Sequence, residues 1–244
     1  MARDLVGRNV VEVVSIPVGR VGRPSKSLTP QNVDDVLNKT APDRLHSYIV
    51  LSLLTGARTE VLRALRWEHV HLEGESSVDP PIPPYMEVWR SVSDGGDTKT
   101  SKSRRTLALP SRCVDALRRQ RMLQATERLA ATDWKESGLV FTTTAGSALD
   151  SANVRRDLRR ALRLVPGIEP EEWTPRELRH SFVSVLSDAG VPVEQISQLV
   201  GHRGSTVTEL VYRHQLRPVL QTGATVMDAL FGARDLSVPP AGNG

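Results

Sequence analysis

Apolar positions recur at helical spacing over most of the chain and alternate over only two short stretches near its middle. The first helical stretches are "QNVDDVLNKT" (31–40), "DRLHSYIVLSLLT" (43–55) and "RTEVLRALRW" (58–67), the last with Val61, Leu62 and Leu65 on one face. Asp43 is placed to cap the second, and Gly56 interrupts the pattern after it. "YMEVWRSV" (85–92) and "RRTLALP" (104–110) alternate like strands, and the polar "SDGGDTKTSKS" (93–103) between them predicts a β-hairpin with a long loop. Beyond Pro110 the helical period returns over 112–131, 151–165, 176–190, 193–201, 205–215 and 218–231. Gly190 and Gly201 fall where helix C-caps belong. The pattern predicts a mainly α fold with a small antiparallel β-sheet, an α+β domain over residues 30–231.

Both ends depart from this pattern. Residues 1–15 form an amphipathic segment too short to be a domain. Residues 16–30, "IPVGRVGRPSKSLTP", are rich in Gly, Pro and Ser, basic and free of acids, which is a linker signature. The end of the chain, 232–244, is expected to be a disordered tail.

Composition narrows the partner. The 244 residues are 39% apolar and 25% charged, enough to bury a core, and only 4% aromatic. A net charge of +4 and a pI near 9.6 are compatible with a nucleic-acid partner. The basic residues are unevenly spread. Lys99, Lys102, Arg104, Arg105, Arg112, Arg118, Arg119 and Arg121 face one acid, Asp115; Arg155, Arg156, Arg159, Arg160 and Arg163 face Asp157. With a single cysteine, Cys113, the chain can form no internal disulfide or Cys-based metal site, and the cytoplasm is the expected compartment. The apolar run "YIVLSLL" (48–54) is too short to span a bilayer, and no signal-peptide core opens the chain.

Five places combine into one chemistry. Arg58 follows the turn Thr55-Gly56-Ala57, and Lys99 lies in the hairpin loop. Arg176, Arg179 and His180 open a helix in "TPRELRHSF" (174–182), His202 follows Gly201, and Tyr212 lies further on. Taken singly, each has an ordinary explanation: a solvated charge, a cap or a core-edge aromatic. Together they supply what transfer of a phosphodiester needs. Arginines grip non-bridging oxygens bidentately, a loop lysine protonates a leaving oxygen, a tyrosine forms a covalent phosphoester and a histidine completes the charge-stabilising shell. The scheme needs no metal or other cofactor.

The segments "LLTGARTEVLRALRWEHVHL" (53–72), "DTKTSKSRRTLALP" (97–110), "TPRELRHSF" (174–182) and "LVGHRGSTVTELVYRH" (199–214) resemble, in order and spacing, the catalytic domain of the tyrosine recombinase or phage-integrase family. The likeness covers about 30–231 and is greatest to integrases of actinobacterial mobile elements or prophages. It implies that Arg58 is the first catalytic arginine, Lys99 the general acid with Lys102 the nearby alternative, and Arg179 the second arginine. It further implies that His202 fills the His/Trp position and that Tyr212 is the nucleophile, leaving a 3′-phosphotyrosyl bond and a free 5′-hydroxyl. Arg176 stands where most members carry a histidine. An arginine cannot take up a proton there but can donate hydrogen bonds. Val61 stands where many members carry an acid, with Glu60 one position early.

The resemblance also implies double-stranded DNA attachment sites as substrate, a homo-tetramer on that DNA, and an excisionase or host architectural protein as a possible partner, all at the nucleoid and none in a membrane. Residues 1–15 are similar to the last helix of a preceding core-binding domain, and 218–231 to a terminal helix that docks onto a neighbouring protomer. Candidate DNA contacts are Lys102, Arg104 and Arg105 in the basic segment 102–121 and Arg155, Arg156 and Arg159 in 155–163. His180 and Arg203 stand beside the catalytic motifs. For both segments the alternative is a solvated helix face. Two other functions compete: a non-catalytic DNA-binding regulator, from the helix–glycine turn–helix look of 193–213, and a type IB topoisomerase-like enzyme that reseals the same strand.

Overall fold

A helix that is apolar on every side has to be wrapped by other elements, and helix α2 (His46–Thr55) is such a helix: Ser47 through Thr55 are all buried. Its polar groups are met internally, Ser47 Oγ donating to Ala116 O at 2.7 Å and Thr55 Oγ1 to Leu51 O at 2.6 Å. The computed structural model describes residues 26–88, 105–201 and 220–232. Among these, α2 is surrounded by α1 (Pro30–Lys39), α3 (Thr59–Ala64), α4 (Ser111–Ala130), α6 (Pro175–Asp188) and α8 (Thr222–Phe231). Helices α5 (Ser151–Leu162) and α7 (Val193–Val200) pack on α6. Strands β1 (Val70–His71), β2 (Tyr85–Val88) and β3 (Arg105–Ala108) form an antiparallel sheet in the order β1-β2-β3, with Val70 opposite Met86 and Val88 opposite Arg105. The expected mainly α fold with a small antiparallel sheet is what forms.

Several boundaries move for local reasons. The second helix starts at His46, not at residue 43, because Asp43 closes a tight turn: its carboxylate accepts from the Leu45 N–H at 2.8 Å. The third helix, expected over 58–67, stops at Ala64. Leu65 is extended and its carbonyl accepts from the Val140 N–H at 2.9 Å, while the Trp67 N–H donates to Gly138 O at 3.0 Å. Buried Gln124 ties the same segment to α4, accepting from Trp67 Nε1 at 2.8 Å and donating to Leu139 O, Val140 O and Thr142 Oγ1 at 3.0 Å each. Strand β1 has two residues, too few for a period to register.

Both ends of the described fold are tied to its core. Leu28, placed in the linker, is buried, and its N–H donates to Ser181 Oγ at 2.9 Å. Helix α8 packs on its own chain. It buries Met227 and Phe231, and the Asp228 carboxylate accepts from the Ser111 N–H at 2.7 Å at the start of α4. The expected helix over 205–215 and the tail 233–244 lie outside the described residues, as does the segment 1–25. Among the described residues, no helix is long and apolar enough to cross a membrane.

Candidate active site

Helix α2 ends on Gly56 in a left-handed conformation, φ +61. A Cβ there would stand 2.4 Å from Phe182 Cδ1, so the turn needs glycine both for its backbone and for its closeness to α6. The turn delivers Arg58 to the residue just before α3. The start of α6 is fixed by a capping box: the Glu177 carboxylate accepts from the Thr174 N–H at 2.9 Å and from the Thr174 hydroxyl, with Pro175 in the first helical position. "TPRE" carries that signal in the sequence.

One turn into α6, Arg179 points inward and is 9% exposed. Its Nη1 donates to Gly56 O at 2.6 Å and its Nη2 to Val200 O at 2.7 Å. Arg58 Nη2 donates to Gly201 O at 3.3 Å. Arg58 and Arg179, far apart in sequence, thus meet at the end of α7. The acceptors are carbonyls at the C-termini of α2 and α7, where the helix dipole is negative and backbone acceptors lack helical partners. Among the described residues, neither guanidinium has a carboxylate in salt-bridge contact, so both charges remain available to an anion. Burial, then the charge of Arg58, pushes Arg179 down to about 10 against the opposing pull of Glu60. It stays charged at neutral pH.

Arg105 is 6% exposed on β3 and does not face outward as a DNA-track residue would. Its guanidinium lies against Gly201, with Nη1 2.6 Å from where a Cβ on that glycine would be. Burial and the like charges of Arg179 and Arg58 push Arg105 down to about 9.

Arg176 is exposed in the first turn of α6, and its Nε donates to His180 Nε2 at 3.2 Å. Burial first, and Arg176 second, lower the pKa of His180, so the imidazole is neutral at pH 7 and accepts on Nε2. Val61 is buried at 5% exposure in the main core, which explains an apolar residue there; Glu60, one position earlier, is the acid that acts on Arg179. Lys99, Lys102, Arg104, His202, Arg203 and Tyr212 lie outside the described residues.

The basic helix faces are largely occupied. Arg159 Nη1 meets Glu171 at 2.9 Å, and Arg156 lies 3.5 Å from Asp157, while Arg155 is exposed. On α4, Arg112 contacts Asp34 at 3.3 Å, Arg118 contacts Glu73 at 3.2 Å, and Arg121 sits 4.6 Å over the Trp67 ring. Among the described residues, no group of three or more His, Cys, Asp or Glu is placed to hold a metal ion.

Two arginines held on the carbonyls at the C-termini of α2 and α7, in a helical domain with a three-stranded sheet, form a cationic cluster. The chain belongs to the phage integrase family, whose model matches residues 26–217. It is 62% identical to an integrase of Streptomyces ambofaciens over 95% of this chain and 60% of that protein. It is 22% identical to a XerC-like tyrosine recombinase of Caldanaerobacter subterraneus over 92% of this chain and 59% of that one. The chain therefore spans about 60% of the length of these relatives. Its fold matches the Tn1549 transposon integrase, solved in complex with transposon right-end DNA, with a TM-score of 0.60 and 18% identity over 92% of this chain and 70% of that one.

Proposed function

We propose that this chain cuts and rejoins double-stranded DNA at specific sites through a 3′-phosphotyrosyl bond to Tyr212. The observation that carries the reading is the meeting of Arg58 and Arg179 on the carbonyls of Val200 and Gly201, directly before the segment that bears His202 and Tyr212. Two guanidiniums there suit the non-bridging oxygens of a scissile phosphate.

In this scheme the Tyr212 oxygen attacks phosphorus and the bond to the 5′ oxygen breaks. Lys99 gives that oxygen its proton, and His202 stabilises the developing charge. A 5′-hydroxyl of a partner duplex then displaces Tyr212, so the phosphoester is conserved and no nucleotide cofactor is consumed. Arg176 donates hydrogen bonds and takes no proton; the tyrosine proton goes to water, His202 or the phosphate. The full assembly is a homo-tetramer on attachment-site DNA, acting at the nucleoid, with an excisionase or host architectural protein as its directional partner.

The test is a covalent trap. The chain is mixed with a pool of nicked duplexes, quenched in detergent and probed for protein–DNA adducts beside Tyr212→Phe. An adduct absent from the variant is the expected result. Binding to DNA without any adduct would move the non-catalytic regulator to first place.

A further inference from the structure

Arg58 and Arg179 are held in different ways. Arg179 is anchored by its own side chain, which is buried and donates at 2.6 and 2.7 Å. Arg58 is half-buried, and among the described residues its side chain makes one hydrogen bond, to Gly201 O at 3.3 Å. A bond that long orients a side chain weakly, so the direction of Arg58 depends on its backbone. That backbone is gripped on both sides. Before it, Gly56 is pressed on Phe182 and its carbonyl accepts from Arg179. After it, the Arg58 carbonyl accepts from the Val61 and Leu62 N–H groups at 3.0 Å each, so Arg58 moves with α3.

Helix α3 has six residues, less than two turns, and no side chain caps its start. Its middle and end are located by buried Val61 and Leu62, by Arg63 Nε donating to Leu149 O at 2.7 Å, and by Leu65 O accepting from the Val140 N–H at 2.9 Å. At the end that carries Arg58, Thr59 is tied to α2 instead: the hydroxyls of Tyr48 and Thr59 are hydrogen-bonded. Tyr48 is fully buried, with its ring edge-on to Phe141 at 5.1 Å between centroids. Burial pushes its phenol well above the ordinary tyrosine range, so the hydroxyl keeps its proton. A phenylalanine would fill the same space with no polar group to desolvate, so the bond to Thr59 is what accounts for the hydroxyl.

We propose that Tyr48 is a positioning residue for Arg58: through the Thr59 hydroxyl it fixes the start of α3 against α2 and so aims the Arg58 guanidinium at the phosphate beside Arg179. This rests on the recombinase reading above. The Gly56 side of Arg58 is held independently, so loss of the Tyr48 hydroxyl misdirects Arg58 without freeing it. Arg179, anchored by its own bonds, keeps its place.

Tyr48→Phe removes one oxygen and leaves the ring packed. Thr59 is half-buried, so its hydroxyl can turn to water. At saturating nicked duplex, the rate constant of Tyr212-dependent adduct formation is expected to fall about tenfold, less than the about 10²–10³-fold for deleting a phosphate donor. The half-saturating DNA concentration is expected to stay within about twofold, because the lost interaction belongs to the transition state. A tyrosine that only supports the fold gives another pattern: a smaller folded fraction lowers the amplitude and leaves the rate constant unchanged. That pattern would overturn the proposal.

The partner residue supplies the control. Thr59→Val is expected to slow the rate constant as Tyr48→Phe does, and the double variant to be no slower than either. Thr59→Ser keeps the hydroxyl and is expected to react at the wild-type rate. Additive losses in the double variant, or equal rates for Thr59→Val and Thr59→Ser, would overturn the proposal, and the valine–serine pair decides it even if Tyr48→Phe does not fold. A further readout needs no DNA: by NMR, the Arg58 Nε–H resonance is expected to move in Tyr48→Phe while that of Arg179 stays. An unmoved Arg58 resonance would overturn the proposal. A wild-type chain with no Tyr212-dependent adduct would sink the recombinase reading and this proposal together, whereas an adduct formed at the wild-type rate by Tyr48→Phe would sink the proposal alone.

Discussion

Two arginine-rich regions of this chain end in opposite electrostatic states. On α5 and at its C-cap, Arg159 and Arg163 share Glu171 at 2.9 and 3.3 Å, and Arg160 spans Asp43 at 3.0 Å and Asp157 at 2.8 Å. At the seam of α2, α6 and α7, Arg58 and Arg179 donate instead to the carbonyls of Gly56, Val200 and Gly201. A carboxylate cancels a guanidinium charge, whereas a carbonyl orients the group and leaves the charge in place. The sequence is denser in arginine along α5, yet most of that row is met by carboxylates, whereas among the described residues the two seam arginines are not. What an arginine can do depends on what its donors already hold.

The largest way to break this comparison is Arg179→Ala. It removes a donor from the proposed phosphate site and orphans two backbone acceptors. The expected loss in adduct formation is about 10²–10³-fold, measured on protein shown by circular dichroism to be folded. The melting temperature should fall as well, because Gly56 O and Val200 O lose their guanidinium donors. A rate within a few-fold of wild type would mean that the seam is a structural clasp and that its charge is not used on DNA.

Much of this was legible before the structure. The helical period located α1, α4, α5, α6 and α7, and the two alternating stretches located β2 and β3. The motif around Arg58 and that around Arg179 carried the pairing, because T-G-x-R and the α6 opening are each local. Three features were not legible. Arg105 stands in a run of basic residues, and nothing in the run says which side chain turns inward; only the pairing of β3 with β2 and its contact with Gly201 decide that. The early end of α3 depends on Leu65 accepting from Val140, a partner distant in sequence. The pairing of α5 with Glu171 and Asp43 likewise requires the chain to fold back, so a row of arginines looked like a free surface when most of it is not.

A smaller effect separates exposed from buried cations within α6. Arg176 and burial together hold His180 below its ordinary value of 6.5. Arg176→Gln removes one cause and leaves burial and the charge of Arg179, so the His180 titration followed by NMR is expected to move upward. The sign for stability follows. A histidine whose folded pKa is lowered contributes fully above the unfolded value of 6.5, and the contribution is lost as pH falls through and below it. The acid limb of the stability profile should therefore flatten in Arg176→Gln. A downward move would mean that neither the charge of Arg176 nor the hydrogen bond it donates, both of which favour the neutral ring, governs the His180 titration.

The finest test lies inside α5, between Arg155 and Arg160. Arg160 is committed to Asp43 and Asp157, both on this chain. Arg155 is exposed on the same helix, and among the described residues it makes no ion pair. If acids on the chain have neutralised the row, the two alanine variants should differ in kind. Arg160→Ala is expected to lower stability by about 1 kcal/mol or less, as for other solvent-exposed pairs, and to leave the salt dependence of DNA binding unchanged. Arg155→Ala is expected to leave stability unchanged. If Arg155 reaches a phosphate, its loss should reduce the slope of log affinity against log salt by about one. Equal slope changes for both would mean that DNA pulls Arg160 away from its carboxylates, and the contrast between the two arginine regions would then hold only for the protein off DNA.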